Sequence, residues 1–210
     1  WNPKIGREER KILGQIGLGS VGKFYAIALS PDGKLLASGG MLADNAYDGS
    51  AIRLHDFRTG ELLQIMKGHE NVVQDLAFSP DGRWLVSGSN DKTVRRWKRP
   101  RNRFTSGPVL RGHEKTVYDV RLFEDSGRLR VVSASIDHTV RLWDAESGRQ
   151  LALGRHDDDV DYLAVGPDWI ASAGYDNTIR IWDFSLRPLR TIHSETKPSG
   201  LAAHPDRKST

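Results

Sequence analysis

"YDNTIRIWD" occupies residues 175–183, and two other stretches say nearly the same thing: "NDKTVRRWK" at 90–98 and "IDHTVRLWD" at 136–144. In each, Thr follows Asp by two residues. A β-branched residue and Arg come next, and Trp stands six residues after the Asp. A phrase returning in the same order marks a structural unit repeated along the chain, and internal repeats take precedence over other signals. Trp97, Trp143 and Trp182 are spaced by 46 and 39 residues. A weaker copy, "SAIRLHD" (50–56), puts His55 in the Trp place, 42 residues before Trp97.

The rest of the unit follows in register. "GHENVVQDLAFSPDGRWLVSGSND" (68–91) matches "GHEKTVYDVRLFEDSGRLRVVSASID" (112–137), and "RHDDDVDYLAVGPDWIASAGYD" (155–176) is a looser copy. "GSVGKFYAIALSPDGKLLASGG" (19–40) is the least regular. Short runs rich in Val, Ile, Leu and aromatics, bounded by Pro-Asp-Gly or Asp-x-Thr turns, read as strands. In the second unit they fall at roughly 73–78, 84–88, 94–98 and 107–110. Ser-Pro-Asp-Gly suits a type I turn: Pro presets φ, Asp bonds locally and Gly closes it. No segment carries a helical period. The chain is predicted all-β, in ~40-residue units of four strands each.

A period near 40–45, a Gly-His start and a Trp-Asp end are the signature of a propeller blade. On these residues the sequence resembles the WD-repeat family over nearly its whole length. The resemblance implies a β-propeller of four-stranded antiparallel blades, with about four complete blades plus partial strands at both ends. As one partial propeller over 1–210, the blades are expected at about 20–67, 68–111, 112–154 and 155–192, with partial-blade strands over 1–16 and 193–206. It also implies one hydrogen-bonded clasp per blade. By position these are His69, Ser87, Asp91 and Trp97; His113, Ser133, Asp137 and Trp143; and His156, Ser172, Asp176 and Trp182. Asp accepts from a tight turn, His bridges Asp to Ser, and Ser reaches the indole N–H. Each buried polar group needs such a partner or costs ~1–3 kcal/mol.

Family propellers usually close seven blades, about 280–300 residues. Here "WNP" (1–3) reads as the end of an earlier blade's third strand, "REERKILGQI" (7–16) as its outer strand, and "SGLAAHPD" (199–206) as the first strand of a further blade. The absence of an initiator Met agrees. The expectation is a piece of a larger propeller. The alternative is a short chain whose open sheet edges are covered by self-association or a partner. Blade one departs from the pattern: Gly19-Ser20 replaces Gly-His, His55 replaces Trp, and "MLADNAYDGS" (41–50) is inserted at the tight turn. That blade is expected to lack the clasp and to be the softest.

Composition narrows the chemistry. There are no cysteines, which excludes disulfides and thiolate metal sites and fits a reducing, cytoplasmic setting. No signal peptide is visible, nor any run approaching the ~20 apolar residues of a membrane helix, so no membrane is expected as partner. A net charge of +4 is mild. The His, Ser and Asp of each blade are the residue types of a catalytic triad. Catalysis needs one site, whereas these residues recur in three blades, which favours structure. Asp157-Asp158-Asp159 could hold a metal, but consecutive residues of an extended strand cannot all face one ion, and no calcium-loop glycine is present; a solvated loop is expected. No phosphate-binding glycine loop is present. No cofactor and no catalytic residue is expected.

Family members that bind peptides often do so on the face carrying the Gly-His loop and the Asp turn. Three places per blade reach it: the residues flanking the apolar start of the innermost strand, and the residue before the turn Asp. Here they are Val72, Gln74 and Asn90; Thr116, Tyr118 and Ile136; Asp159, Asp161 and Tyr175; and, in blade one, Lys23 and Tyr25. Aromatic area beside two carboxylates would suit a protein or peptide bearing Arg or Lys. The expected function is a non-catalytic interaction scaffold. One alternative is the sensor or targeting propeller of a larger multidomain enzyme (protease-like, kinase or nucleotide-binding). Another is nucleic-acid or anion contact through "RRWKRPRNRF" (95–104). Arg95 belongs to the repeat, as do Arg53, Arg141 and Arg180, so the excess charge is Arg96, Lys98, Arg99, Arg101 and Arg103, read as a solvated loop.

Overall fold

Successive Ser-Pro-Asp-Gly hairpins set the pattern of the sheets. In Ser30-Pro31-Asp32-Gly33 the Ser30 hydroxyl donates to Asp32 (2.6 Å) and accepts from the Leu35 amide (2.9 Å). Gly33 takes φ +68°, a left-handed conformation that an L side chain strains to adopt. Ser79, Asp81 and Gly82 repeat the device in the next sheet.

The structure is a computed structural model and describes residues 23–41 and 50–203. The expected strands over 1–16, Gly19-Ser20, residues 42–49 of the inserted loop, and 204–206 lie outside the described residues. Four sheets follow one another, each a four-stranded antiparallel meander. The first holds β1 (Lys23–Leu29), β2 (Leu35–Met41), β3 (Ile52–Asp56) and β4 (Leu62–Met66). The second holds β5 (Val73–Phe78), β6 (Trp84–Ser89), β7 (Val94–Lys98) and β8 (Thr105–Ser106). The third holds β9 (Val117–Asp125), β10 (Arg128–Ser135), β11 (Thr139–Asp144) and β12 (Gln150–Arg155). The fourth holds β13 (Val160–Val165), β14 (Ile170–Gly174), β15 (Thr178–Trp182) and β16 (Pro188–His193). The described chain is all-β, four blades of a β-propeller, with no helix long and apolar enough to cross a membrane.

First strands of successive blades lie against one another, β1 by β5, β5 by β9, β9 by β13. The apolar core sits between blades rather than within them. One cluster joins Leu35, Ile52 and Leu54 of blade one to Val73, Leu76 and Trp97 of blade two. A second joins Val86 and Val94 to Val117, Val120 and Trp143. A third joins Val132 and Val140 to Val160, Leu163 and Trp182. Each fully buried Val, Leu or Ile contributes roughly 1.5–3 kcal/mol. Glycine sets how closely blades approach: a Cβ on Gly88 would lie 2.9 Å from Val117 Cγ1 and 3.2 Å from the Val117 carbonyl of the next blade.

Two expected strands differ. The outer strand of blade two is Thr105–Ser106, not 107–110. Pro108 has no amide to donate, so the ladder breaks after Gly107 and resumes only as the Val94–Leu110 bridge. Residues 199–203 form no strand. An innermost strand pairs on one side only, with the second strand of its own blade, and none follows among the described residues.

Candidate functional site

In blades two to four the structure brings the four repeat side chains together. His69 Nδ1 donates to Asp91 Oδ2 at 2.7 Å, Ser87 Oγ donates to His69 Nε2 at 2.7 Å, and Trp97 Nε1 donates to Ser87 Oγ at 3.1 Å. The same chain runs through His113, Asp137, Ser133 and Trp143 (2.9, 2.8 and 2.9 Å) and through His156, Asp176, Ser172 and Trp182 (2.9, 2.7 and 2.8 Å). Burial pushes all three imidazoles below their ordinary pKa despite the partner carboxylates, so each is neutral and the donor order is fixed. Burial works against the Asp91 and Asp137 carboxylates too. The bonds they accept from His69 and Thr93, or His113 and Thr139, outweigh it and hold both well below the usual range. The Thr of the opening phrase is thus part of the clasp: Thr93, Thr139 and Thr178 hydroxyls donate to the turn Asp at 2.6, 2.5 and 2.7 Å. The serines are 0% exposed.

Blade one has Ser38 at the Ser register, opposite Arg53 as Ser87 is opposite Arg95. Its His55 ring instead lies 3.3 Å from the Gly60 carbonyl.

A second device was not read from the sequence. Asp75 on β5 accepts from the Val120 amide of β9 (3.0 Å), and Asp119 on β9 accepts from the Leu163 amide of β13 (2.8 Å). The first strand of a blade is a sheet edge with unpaired amides, and in blades three and four a carboxylate from the blade before caps one of them. Arg121 Nη1 bridges Asp75 Oδ2 and Asp119 Oδ1, both at 2.7 Å. Burial and the Asp75 charge push Asp119 well above the usual carboxylate range, against the pull of Arg121. The signal was present: Asp75 and Asp119 hold the same register in their blades. Tyr162 and Ala26 hold it in the other two, which hid the pattern.

The expected partner-binding residues share one construction. Each first strand carries a register shift next to its start, between Phe24 and Ala26, Val73 and Asp75, Val117 and Asp119, and Val160 and Tyr162. The extra residue of each bulge is Tyr25, Gln74, Tyr118 or Asp161, and a bulge re-aims the side chain it carries. The remaining positions are tied in pairs by backbone bonds: Asn90 N to Val72 O (3.0 Å), Ile136 N to Thr116 O (3.1 Å), Tyr175 N to Asp159 O (2.8 Å). Gln74 Nε2 donates to Asn90 Oδ1 at 2.8 Å. Lys23 lies exposed at the start of β1. Burial and the Asp161, Tyr175 and Asp159 neighbours push the Tyr118 phenol up, which places all four in one electrostatic neighbourhood. Sequence reasoning missed Lys197, whose ammonium lies 2.6 Å from Asp161 Oδ2 and 3.2 Å from the Tyr175 ring centroid.

The basic run differs from expectation at Arg96, and the acidic loop, exposed as expected at Asp157 and Asp158, differs only in its bend. Arg96 is not solvated: it is 1% exposed and donates from Nε to Pro108 O (3.1 Å) and from Nη1 to Ala145 O of the next blade. Alternation puts Arg96 on the face of buried Val94, two residues before it, whatever its charge, and its guanidinium reaches carbonyls of two blades. The run keeps Lys98, which lies 3.7 Å from Glu146, Arg99 over the Phe104 ring, and exposed Arg101 and Arg103. In the acidic loop, Asp157 pairs with Arg180 (2.5 Å), while single ligand atoms of Asp158, Asp159 and His138 lie within 4.8 Å of one another. The segment bends instead of extending, so adjacent carboxylates can converge.

A family profile described as "WD domain, G-beta repeat" matches residues 18–52, 60–98, 104–144 and 150–183. Periodic tryptophan protein 2 homolog of Neurospora crassa is 33% identical over 129 residues, 61% of this chain and 13% of that protein. Jouberin of Rattus norvegicus is 32% identical over 129 residues, again 61% of this chain and 12% of that protein. WD repeat and SOCS box-containing protein 1 of Homo sapiens is 36% identical over 125 residues, 59% of this chain and 27% of that protein. The chain therefore aligns with only 12% to 27% of the length of these relatives.

Proposed function

The chain belongs to the WD-repeat family, and from that premise we propose that it is a non-catalytic scaffold that binds a protein or peptide on the face carrying Tyr25, Gln74, Tyr118 and Asp161. One observation carries the reading: all four blades place their bulge residue at the same register, so four side chains of varied chemistry are presented by a rigid, repeated backbone. Tyr118 and Tyr175 are 40% and 52% exposed, and Tyr is favoured at interface hot spots. The clasp residues have the types of a catalytic triad, but Ser87, Ser133 and Ser172 each spend Oγ on an indole and an imidazole and meet no solvent. A substrate carbonyl has no approach to them.

The test uses a partner identified by affinity capture from the source cells. Tyr118→Ala combined with Asp161→Ala is expected to weaken binding to that partner at least tenfold, while Arg101→Ala with Arg103→Ala leaves it unchanged. The reverse pattern would move the binding surface to the basic loop.

A second reading is a targeting propeller within a larger protein. It is supported by the small share of each relative that this chain spans, and by a relative whose name joins WD repeats to a SOCS box.

A further inference from the structure

Lys197 sits where the proposed partner's cation would sit. It belongs to residues 194–203, which pair in no ladder; the segment is tethered by the Ser194 amide to Asn177 O (2.9 Å), and Pro198, Ser199 and Gly200 follow. From there its ammonium reaches back 36 positions to Asp161 and lies over Tyr175.

The match is incomplete. Asp161 Oδ2 takes the ammonium, but Asp161 Oδ1 is buried and accepts no hydrogen bond. A lysine is a point charge and leaves half of the carboxylate unmet. A guanidinium presents two parallel N–H groups to both oxygens and stacks on aromatic faces. Tyr118 and Tyr175 offer such faces, and Asp159 adds a second carboxylate, held 3.4 Å from His138 Nε2. Releasing Lys197 breaks one ion pair and one ring contact, and no ladder bond.

We propose that the Tyr118–Asp161–Tyr175 pocket is a guanidinium receptor, that Lys197 is its internal occupant, and that an arginine-bearing segment of a partner protein binds by displacing Lys197. This rests on the scaffold reading above and adds to it the class of partner and a built-in competitor. Competition sets the magnitude: if Lys197 fills the pocket about nine-tenths of the time, removing it tightens apparent binding about tenfold.

The test titrates the whole chain, carrying isotope-labelled tyrosine, with Nα-acetyl-arginine amide, and follows the Tyr118 and Tyr175 ring signals by NMR. Nα-acetyl-citrulline amide, a neutral isostere, and Nα-acetyl-lysine amide are the comparison probes. Lys197→Ala and Lys197→Met are expected to bind the arginine probe about tenfold more tightly than the parent chain. Arginine is expected to exceed lysine, and citrulline to bind to none. Asp161→Asn should abolish binding while the thermal midpoint shows the chain folded. Unchanged or weaker binding by both Lys197 variants would overturn the competitor role, and equal binding of citrulline would overturn the guanidinium receptor. Absence of arginine binding in every variant would overturn the pocket as well. The scaffold reading stands or falls separately, on partner capture by the Tyr118/Asp161 double variant.

Discussion

The carboxylate of Asp119 on β9 accepts a 2.8 Å hydrogen bond from the Leu163 amide on β13, so one blade caps the open edge of the next. Asp119→Ala leaves that buried amide unpaired and is expected to cost about 1–3 kcal/mol. Asp119→Asn keeps an acceptor and removes the repulsion with Asp75, and is expected to lie close to the parent chain. Urea unfolding of both variants checks this. An Asn variant as unstable as the Ala variant would mean that the charge toward Arg121, and not the amide cap, holds the blades.

Stability should fall as pH drops below neutrality. Burial lowers the folded pKa of His69, His113 and His156. The unfolded chain therefore takes up protons near pH 6.5 that the folded chain refuses, and the imidazole contribution, full above that pH, is lost as pH falls toward the folded values. Asp119 has the opposite sign: its raised pKa lets the folded chain bind a proton above the unfolded value near 3.9, which offsets part of the loss. Asp91 and Asp137, both depressed, add their own loss only below about pH 3.9. Thermal midpoints at pH 8, 6.5 and 5 are expected to decrease in that order. A rise toward pH 5 would mean that protonation of Asp119 outweighs the loss from the buried imidazoles.

Each clasp Trp is a large buried side chain: Trp97, Trp143 and Trp182 are 2%, 1% and 4% exposed. Truncation to Ala is expected to cost about 3–5 kcal/mol in each blade. Ser133→Ala, which strands both an indole donor and an imidazole acceptor, should cost about 2–3 kcal/mol by the same desolvation logic. Blade one supplies the control. His55→Trp would put an indole N–H beside Ser38, which occupies the register of Ser87. It is expected to be nearly neutral or mildly stabilising in chemical denaturation, and a loss above ~2 kcal/mol would mean that the His55–Gly60 contact matters more than an indole at that register.

Arg96→Met should destabilise the chain, because two carbonyls from adjacent blades lose their donor, each worth about 0.5–1.5 kcal/mol net. Arg101→Ala and Arg103→Ala, on exposed loop positions, should stay within ~0.5 kcal/mol. Binding of single-stranded DNA by the loop is expected to be weak and to vanish by physiological salt, since few unpaired cations remain there. Salt-independent binding in a filter assay would contradict this.

The clasp was legible because Ser, Asp and Trp recur at fixed offsets, Ser and Trp always ten apart, with a His 16 to 20 residues before the Ser, and a local turn cannot satisfy its own donors without them. Strand positions were legible from the apolar runs between turns, except where Pro108 broke a ladder and at 199–203, where no second strand follows among the described residues to pair with. Arg96 was misread because charge is a poor guide to burial in a strand, where alternation decides which face a residue takes. Asp75 and Asp119 went unread because only two of the four blades carry the acid. Lys197 went unread because nothing in "SETKPSG" (194–200) says where its side chain lands.

By itself, the sequence determined the blade: its strands, its hairpin turns and its internal clasp, all of which depend on contacts within one repeat, at separations of 24 residues or fewer that return from blade to blade. The tertiary structure alone decided what happens between distant residues: the carboxylates that cap neighbouring edges, the buried Arg96, and the Lys197 cation held by Asp161 and the Tyr175 ring. Those contacts join residues 36 to 49 positions apart, never within one blade, with at most two copies to mark them, and they exist only once the packing of one element against the next fixes the distance between them.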